Sequence, residues 1–151
     1  VTGSPSEHSD QYRRTVESVQ RYASYAQPLN VSLAVEPINR YETNLMNTIG
    51  QALQFVDDVG LDNVGVLADT FHMNIEEVSL ADSLRSAGDR LLHVQFTDSN
   101  RLAAGWGHID FPELALVLRE VGYAGYLSTE TLPLPDSHAA AGQAIEFFRS
   151  L

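Results

Sequence analysis

Cysteine is absent from this chain of 151 residues. Without it there is no disulfide framework, no thiolate nucleophile and no sulfur-ligated zinc site. Positive charge is also scarce: nine Lys and Arg stand against twenty Asp and Glu, for a net charge of -11 and a pI near 4.6. A nucleic-acid backbone or an anionic membrane surface needs local positive charge, and nine basic residues spread thinly along the chain suggest no patch for either. No apolar run approaches the roughly 18 to 20 residues that cross a bilayer, and the amino terminus lacks a signal-peptide pattern. The expected setting is a reducing cytoplasm, with neither nucleic acid nor membrane as partner. The chain opens with Val1 and not Met, as expected of a processed or truncated product.

What is present is ordinary for a globular domain: 44% apolar and 19% charged residues, with enough length for one domain over residues 1–151 and a sizeable core. The most informative stretch is VSLAVEPINRYET, residues 31–43. An apolar, β-branched run through Val31, Leu33, Ala34 and Val35 stops at Glu36, with Pro37, Asn39, Arg40 and Glu42 close behind. A buried strand that carries a carboxylate at its C-terminal tip must give it a metal, a cation or a hydrogen-bond network, because a desolvated charge left alone is costly.

Residues 1–9 read as loop, with Gly3 and Pro5 among serines. From about Asp10, the positions Tyr12, Val16, Val19, Tyr22, Ala23 and Ala26 recur at helical spacing; Ser9 or Asp10 caps the start and Pro28 marks the end. Strand and helix then alternate four times. A strand over 31–37 precedes a helix bearing Leu53 and Val56, capped by Asn47 or Thr48 and stopped at Gly60. A strand over 64–70 ends in Asp69, followed by the loop FHMNIEEV and a helix near 79–87 stopped by Gly88. A strand over 91–98 carries His93 and Gln95; after a glycine-bearing loop, Asp110 and Glu113 form the pattern of a capping box for a helix to about Val121. A strand over 126–132 carries Glu130 and leads to a last helix from about Ser137.

A strand–helix repeat of roughly 30 residues builds a parallel sheet with helices outside it. The expected fold class is therefore α/β: four consecutive parallel βα units preceded by one helix, half of an eight-stranded barrel. Right-handed crossovers place the tips carrying Glu36, Asp69, Gln95 and Glu130 on one edge. A complete barrel takes roughly 250 residues, so the chain is expected to be a fragment of a longer enzyme or a half-barrel that pairs with a second copy. Alone, such a sheet leaves two edges and one face uncovered. Glu, Asp, Gln or His, and Glu on one edge suit a hard or borderline divalent cation such as Mg²⁺ or Mn²⁺. The alternative is that each acid caps a helix or pairs with Arg40, Arg90 or Arg101.

The segments EPINRYET, DTFHMNIEE, HVQFTDSNR with GWGHIDF, and the final TE resemble a known family from about residue 10 to the end. It is the carboxyl-terminal half of the xylose-isomerase-like TIM-barrel sugar isomerases and epimerases, particularly the D-tagatose and D-psicose 3-epimerase and hydroxypyruvate isomerase group. The resemblance implies one divalent ion, Mn²⁺, Mg²⁺ or Co²⁺, held by Glu36, Asp69, Gln95 and Glu130. Gln95 stands where ketose 3-epimerases carry the second histidine of an HxH pattern, and hydroxypyruvate isomerases look similar in using a glutamine. His93 is expected behind the ligands as a buried, hydrogen-bonded histidine. The resemblance also implies a small keto sugar or hydroxy-keto acid substrate, isomerised or epimerised through an enediolate with Glu36 and Glu130 as acid and base. By the same likeness Glu42, His72 and Arg101 bind substrate oxygens. Trp106 either covers the site or packs its own loop, Asp98, Asn100 and Asn74 order loops, and His108 is structural.

Two other classes compete. An endonuclease IV-like metal nuclease shares an Asp-x-x-His like Asp69 to His72, but needs a further Asp-x-His pair before the glycine-rich turn, where this chain has LAAGW. A non-catalytic sugar-binding or assembly module is suggested by the absent barrel half.

Overall fold

The computed structural model describes residues 5–151, with side chains from residue 9 onward. Helix α1 spans Pro5–Ala26. The stretch expected as loop up to residue 9 is therefore helical from Pro5, and Ser9 and Asp10 lie inside the helix instead of capping it. Proline at the first helical position forfeits nothing, since an N–H there has no intrahelical acceptor. Residues 1–4, also read as loop, lie outside the described residues. A 3-10 turn, Gln27–Leu29, and left-handed Asn30 (φ 55°) end the helical run.

Four βα units follow: β1 Leu33–Val35 and α2 Ile49–Val59; β2 Val64–Asp69 with α3 Thr70–Glu76 and α4 Leu80–Ala87; β3 Leu91–Gln95 and α5 Phe111–Glu120; β4 Leu127–Ser128 and α6 Ser137–Ser150. The strands pair in the order β1-β2-β3-β4, every pair parallel. This is the expected alternation, half of a TIM barrel in outline. Helix boundaries follow their caps. Thr48 and Gln51 close a capping box on α2, and Gly60 (φ 69°) ends it in the left-handed region that glycine enters without a Cβ penalty.

Two departures from the sequence pattern have physical causes. The outer strands are shorter than the runs 31–37 and 126–132, because each has a partner on one side only among the described residues: three residue pairs hold β1 and two hold β4. The segment FHMNIEEV, expected as loop, lies largely within α3. Asp69 caps it, its carboxylate accepting from the Phe71 N–H at 2.9 Å, and Thr70, His72 and Met73 are buried along its length.

One sheet face carries the helices. Val64, Val66, Ala68, Leu91, Val94 and Phe96 pack there against Ile49, Ala52, Phe55 and Val56 of α2, Leu84 of α4 and Phe111, Leu114 and Val117 of α5. Each large apolar side chain buried this way stabilises the fold by roughly 1.5–3 kcal/mol. Side chains alternate along a strand, so Ala34 and Glu36, Leu67 and Asp69, His93 and Gln95, and Ser128 and Glu130 fall on the opposite, open face.

For β3 that outcome depends on a bulge. Val66 pairs with Leu91 and Leu67 with His93, so Leu92 is an extra residue facing none. Leu91 points into the core, and without the bulge strict alternation would send His93 and Gln95 in the same direction. Leu92 lies over Gly65, where a Cβ would stand 2.5 Å from both the Leu92 Cγ and the Arg90 carbonyl oxygen. Gly65→Ala should consequently destabilise the protein by about 1–3 kcal/mol, read as a lower urea midpoint at unchanged slope. A substitution without cost would mean that the bulge does not need the bare glycine.

Candidate metal centre

Each βα unit delivers one polar side chain to the C-terminal end of the open face. Glu36 follows β1, Asp69 and Gln95 are the last residues of β2 and β3 and pair with each other across the sheet, and Glu130 follows β4. Neighbouring strands lie about 4.8 Å apart, so the side chains form a row at that pitch.

Three of them share an unusual condition. Glu36 Oε1, Asp69 Oδ2 and Gln95 Oε1 are all buried and lack a hydrogen-bond partner. Two carboxylates and a neutral amide oxygen in such surroundings repel or ignore one another. The electrostatics agree: Glu36 is pushed above the usual carboxylate range by burial and by Glu130, with Arg101 opposing. Asp69 is raised from 3.8 to about 7, chiefly by burial, against the Phe71 N–H that favours its charged form. A divalent ion with oxygen preference would satisfy all three acceptors at once, so the donor set fits the metal inferred from sequence. His72 is buried beside them, its Nε2 3.9 Å from Glu36 Oε1 and from Asp69 Oδ2. Single atoms of Glu36, Asp69 and His72 all lie within 4.8 Å of one another. Glu130 stands at the outer end of the row, its side chain 58% exposed and 3.9 Å from Arg101 Nη2.

The alternative partners divide. Arg40 is engaged by Glu76 and Arg90 by Asp57, so neither neutralises a strand-tip acid. Asp69 does cap α3, but only with Oδ1, which leaves Oδ2 free for the site. Arg101 bridges the rim: it donates to Glu42 at 3.2 Å, approaches Glu130 and lies over the Phe71 ring at 4.8 Å. Its left-handed backbone (φ 62°) is held by its own N–H on the Asp98 carbonyl and by Leu132 N–H on its carbonyl, both at 2.8 Å.

Several residues that hold the site carry no obvious signal in the sequence. The Thr70 hydroxyl sits between the Gln95 and Thr97 carbonyls and accepts from the Thr97 N–H, while Thr97 Oγ1 bonds the Glu130 backbone. These threonines tie three strand ends together. Buried Asn39 contacts both Glu42 and His72; its place in EPINRYET was the available clue. Asp98 orders the 98–109 loop as expected. Burial opposes its charge, but N–H groups of Ser99, Gly107, Ile109 and Gly105 outweigh that and hold it below the usual carboxylate range. Asn100 also orders this loop, donating to the Trp106 carbonyl and accepting from Leu102 N–H. Trp106 is 37% exposed, and His108 holds Ser99. His93 is half-buried and bonded to Ser128 Oγ at 2.7 Å.

Residues 1–151 match the family described as the xylose isomerase-like TIM barrel. The chain is 38% identical over 147 residues to a D-psicose 3-epimerase of Agrobacterium fabrum, covering 97% of this chain and 50% of that protein. It is 35% identical over 153 residues to an L-ribulose 3-epimerase of Methylomonas sp., covering 89% and 54%. Among solved structures, the 3-keto-D-glucoside 4-epimerase YcjR from E. coli superimposes with a TM-score of 0.91 at 29% identity, over 99% of this chain and 57% of that one. The chain spans about half the length of these relatives.

Raised acid pKa values tie stability to pH. The folded state holds the Asp69 proton more tightly than the unfolded chain does, so this contribution is complete below about pH 4 and is lost as pH rises through about 7. In chelator-treated protein the unfolding free energy should fall across that window, and Asp69→Asn should flatten part of the slope in a urea series. A slope unchanged by the substitution would contradict the assignment.

Proposed function

Because the chain belongs to the xylose isomerase-like TIM barrel family, we propose that it supplies half the active site of a metal-dependent ketose epimerase or isomerase. The substrate class is a small keto sugar or hydroxy-keto acid, in keeping with relatives called D-psicose and L-ribulose 3-epimerases. The observation that carries this reading is the trio of buried, unpartnered oxygens on Glu36, Asp69 and Gln95. With Glu130 at the end of the row, these residues would hold one divalent ion, Mn²⁺, Mg²⁺ or Co²⁺. Four further strands, from the remainder of a longer chain or from a second copy, would cover the open face and both free edges of the sheet.

When bound, the ion would supply electrophilic stabilisation of the negative charge that develops when a proton leaves the carbon next to a carbonyl. The chain's own residues do the rest. Glu36 and Glu130 follow the two outer strands, so they flank the row from opposite ends. One carboxylate removes the proton and the other returns one to the opposite face of the resulting enediolate, which inverts the stereocentre; return to the neighbouring carbon isomerises instead. Glu42, His72 and Arg101 line the same edge and bind substrate oxygens, Arg101 placing positive charge among the acids.

The protein completed with its other half-barrel, incubated with Mn²⁺ and a ketose in deuterium oxide, should incorporate deuterium next to the carbonyl. Glu130→Gln should slow that exchange by about 10²–10⁴-fold. No incorporation from any ketose, or full exchange in Glu130→Gln, would refute the reading.

A further inference from the structure

The hydrogen bonds around Asn39 settle which nitrogen of His72 carries a proton, and therefore what that imidazole can do. Asn39 and His72 are each 2% exposed, so neither exchanges partners freely with solvent. The amide orientation of Asn39 follows from two neighbours with fixed roles. Its Oδ1 accepts the Tyr41 backbone N–H at 3.0 Å, a group that can only donate. Its Nδ2 lies 2.9 Å from Glu42 Oε1, which as a carboxylate only accepts. One Nδ2 hydrogen is thereby spent on Glu42. The other faces His72 Nδ1 at 2.8 Å, and the Asn39 backbone N–H donates to the same ring nitrogen at 3.3 Å.

Two donors converging on Nδ1 require its lone pair, so the neutral ring carries its hydrogen on Nε2. We infer that Asn39 is a positioning residue that locks His72 as an Nε2–H donor, aimed at a substrate carbonyl or hydroxyl oxygen above Glu36 and Asp69. Nε2 is 3.9 Å from Glu36 Oε1 and from Asp69 Oδ2, too far for a direct hydrogen bond and suited to an oxygen lodged among them. An Nε2 that bears hydrogen has no lone pair for a cation. Although His72 is close enough to be counted with Glu36 and Asp69 as a ligand, it therefore belongs to the substrate side, and Gln95 is left as the third ligand. A donor in this place strengthens its bond as negative charge grows on the oxygen it holds. What the donor meets rests on the function proposed above; the tautomer does not.

The test uses the full protein carrying this chain, labelled with [¹⁵N]histidine, and long-range ¹H–¹⁵N correlation at about pH 8, where an ordinary imidazole is neutral. His72 should show the pattern of a protonated Nε2 and an unprotonated Nδ1, retained when Mg²⁺ is added. Asn39→Asp keeps the acceptor for Tyr41 N–H but turns an acceptor toward Nδ1, and should draw the hydrogen at least partly onto Nδ1. A protonated Nδ1 in the wild type, or a pattern unmoved in Asn39→Asp, overturns the inference. A readout independent of Asn39 folding is the wild-type spectrum at saturating Mg²⁺: the Nε2-bound hydrogen of His72 should remain, and its loss on metal uptake would make His72 a ligand and overturn the inference. Wild-type protein that takes up no Mg²⁺ would defeat the metal-site proposal instead, with the tautomer still legible in the same sample.

Discussion

Three acceptor oxygens buried side by side, with no donor of their own, set the terms for the rest of this structure. An unmet buried acceptor costs about 1–3 kcal/mol, and charged ones cost more. Glu36, Asp69 and Gln95 do not move apart, because their backbones are the ends of adjacent strands in a sheet packed on its other face by apolar side chains of α2, α4 and α5. The core fixes the strands, the strands fix the tips, and the tips are left with unmet acceptors that a cation of the right size would satisfy.

The surrounding polar network keeps that arrangement stiff. Thr70 and Thr97 stitch the ends of β2, β3 and β4 through their hydroxyls. On the other side, the Arg40 guanidinium and backbone N–H both engage Glu76 of α3, while Glu77 accepts the Ile49 N–H at the start of α2 at 2.6 Å and a hydrogen bond from Ser83. The loop after β1, which carries Asn39 and Glu42, is thus clamped to the segment that carries His72. Arg101 spans the rim from Glu42 toward Glu130, so the basic residue nearest the acids is also anchored at both ends.

How much of this was readable beforehand depended on the range of the interaction. The VGVLAD run announces its own end in Asp69, since a strand buried in a parallel sheet reads as a continuous apolar run and a terminal carboxylate is conspicuous. Caps such as Thr48 and Asp110 are local and were equally visible, whereas the Gln51 half of the α2 capping box and the Ser79 cap of α4 emerge only in the structure. The lengths of β1 and β4 were not, because β-propensity says nothing of whether a partner strand runs alongside. Helix α3 was hidden because its cap is the same Asp69 that reads as a ligand. The role of Asn39 depends on a partner 33 positions away and that of Thr70 on one 27 away, separations that spacing rules do not span.

The bulge at Leu92 carries a consequence for how such a site arises. One surplus residue exchanges inside for outside along everything downstream, so His93 and Gln95 reach the open face and Val94 the interior. A single codon gained or lost between Leu91 and His93 is therefore an all-or-none event for chemistry, recruiting or dismissing a whole strand's polar side chains without altering one of them. Point substitution explores this cleft one side chain at a time, whereas a shift of reading parity within β3 would redraw an entire wall.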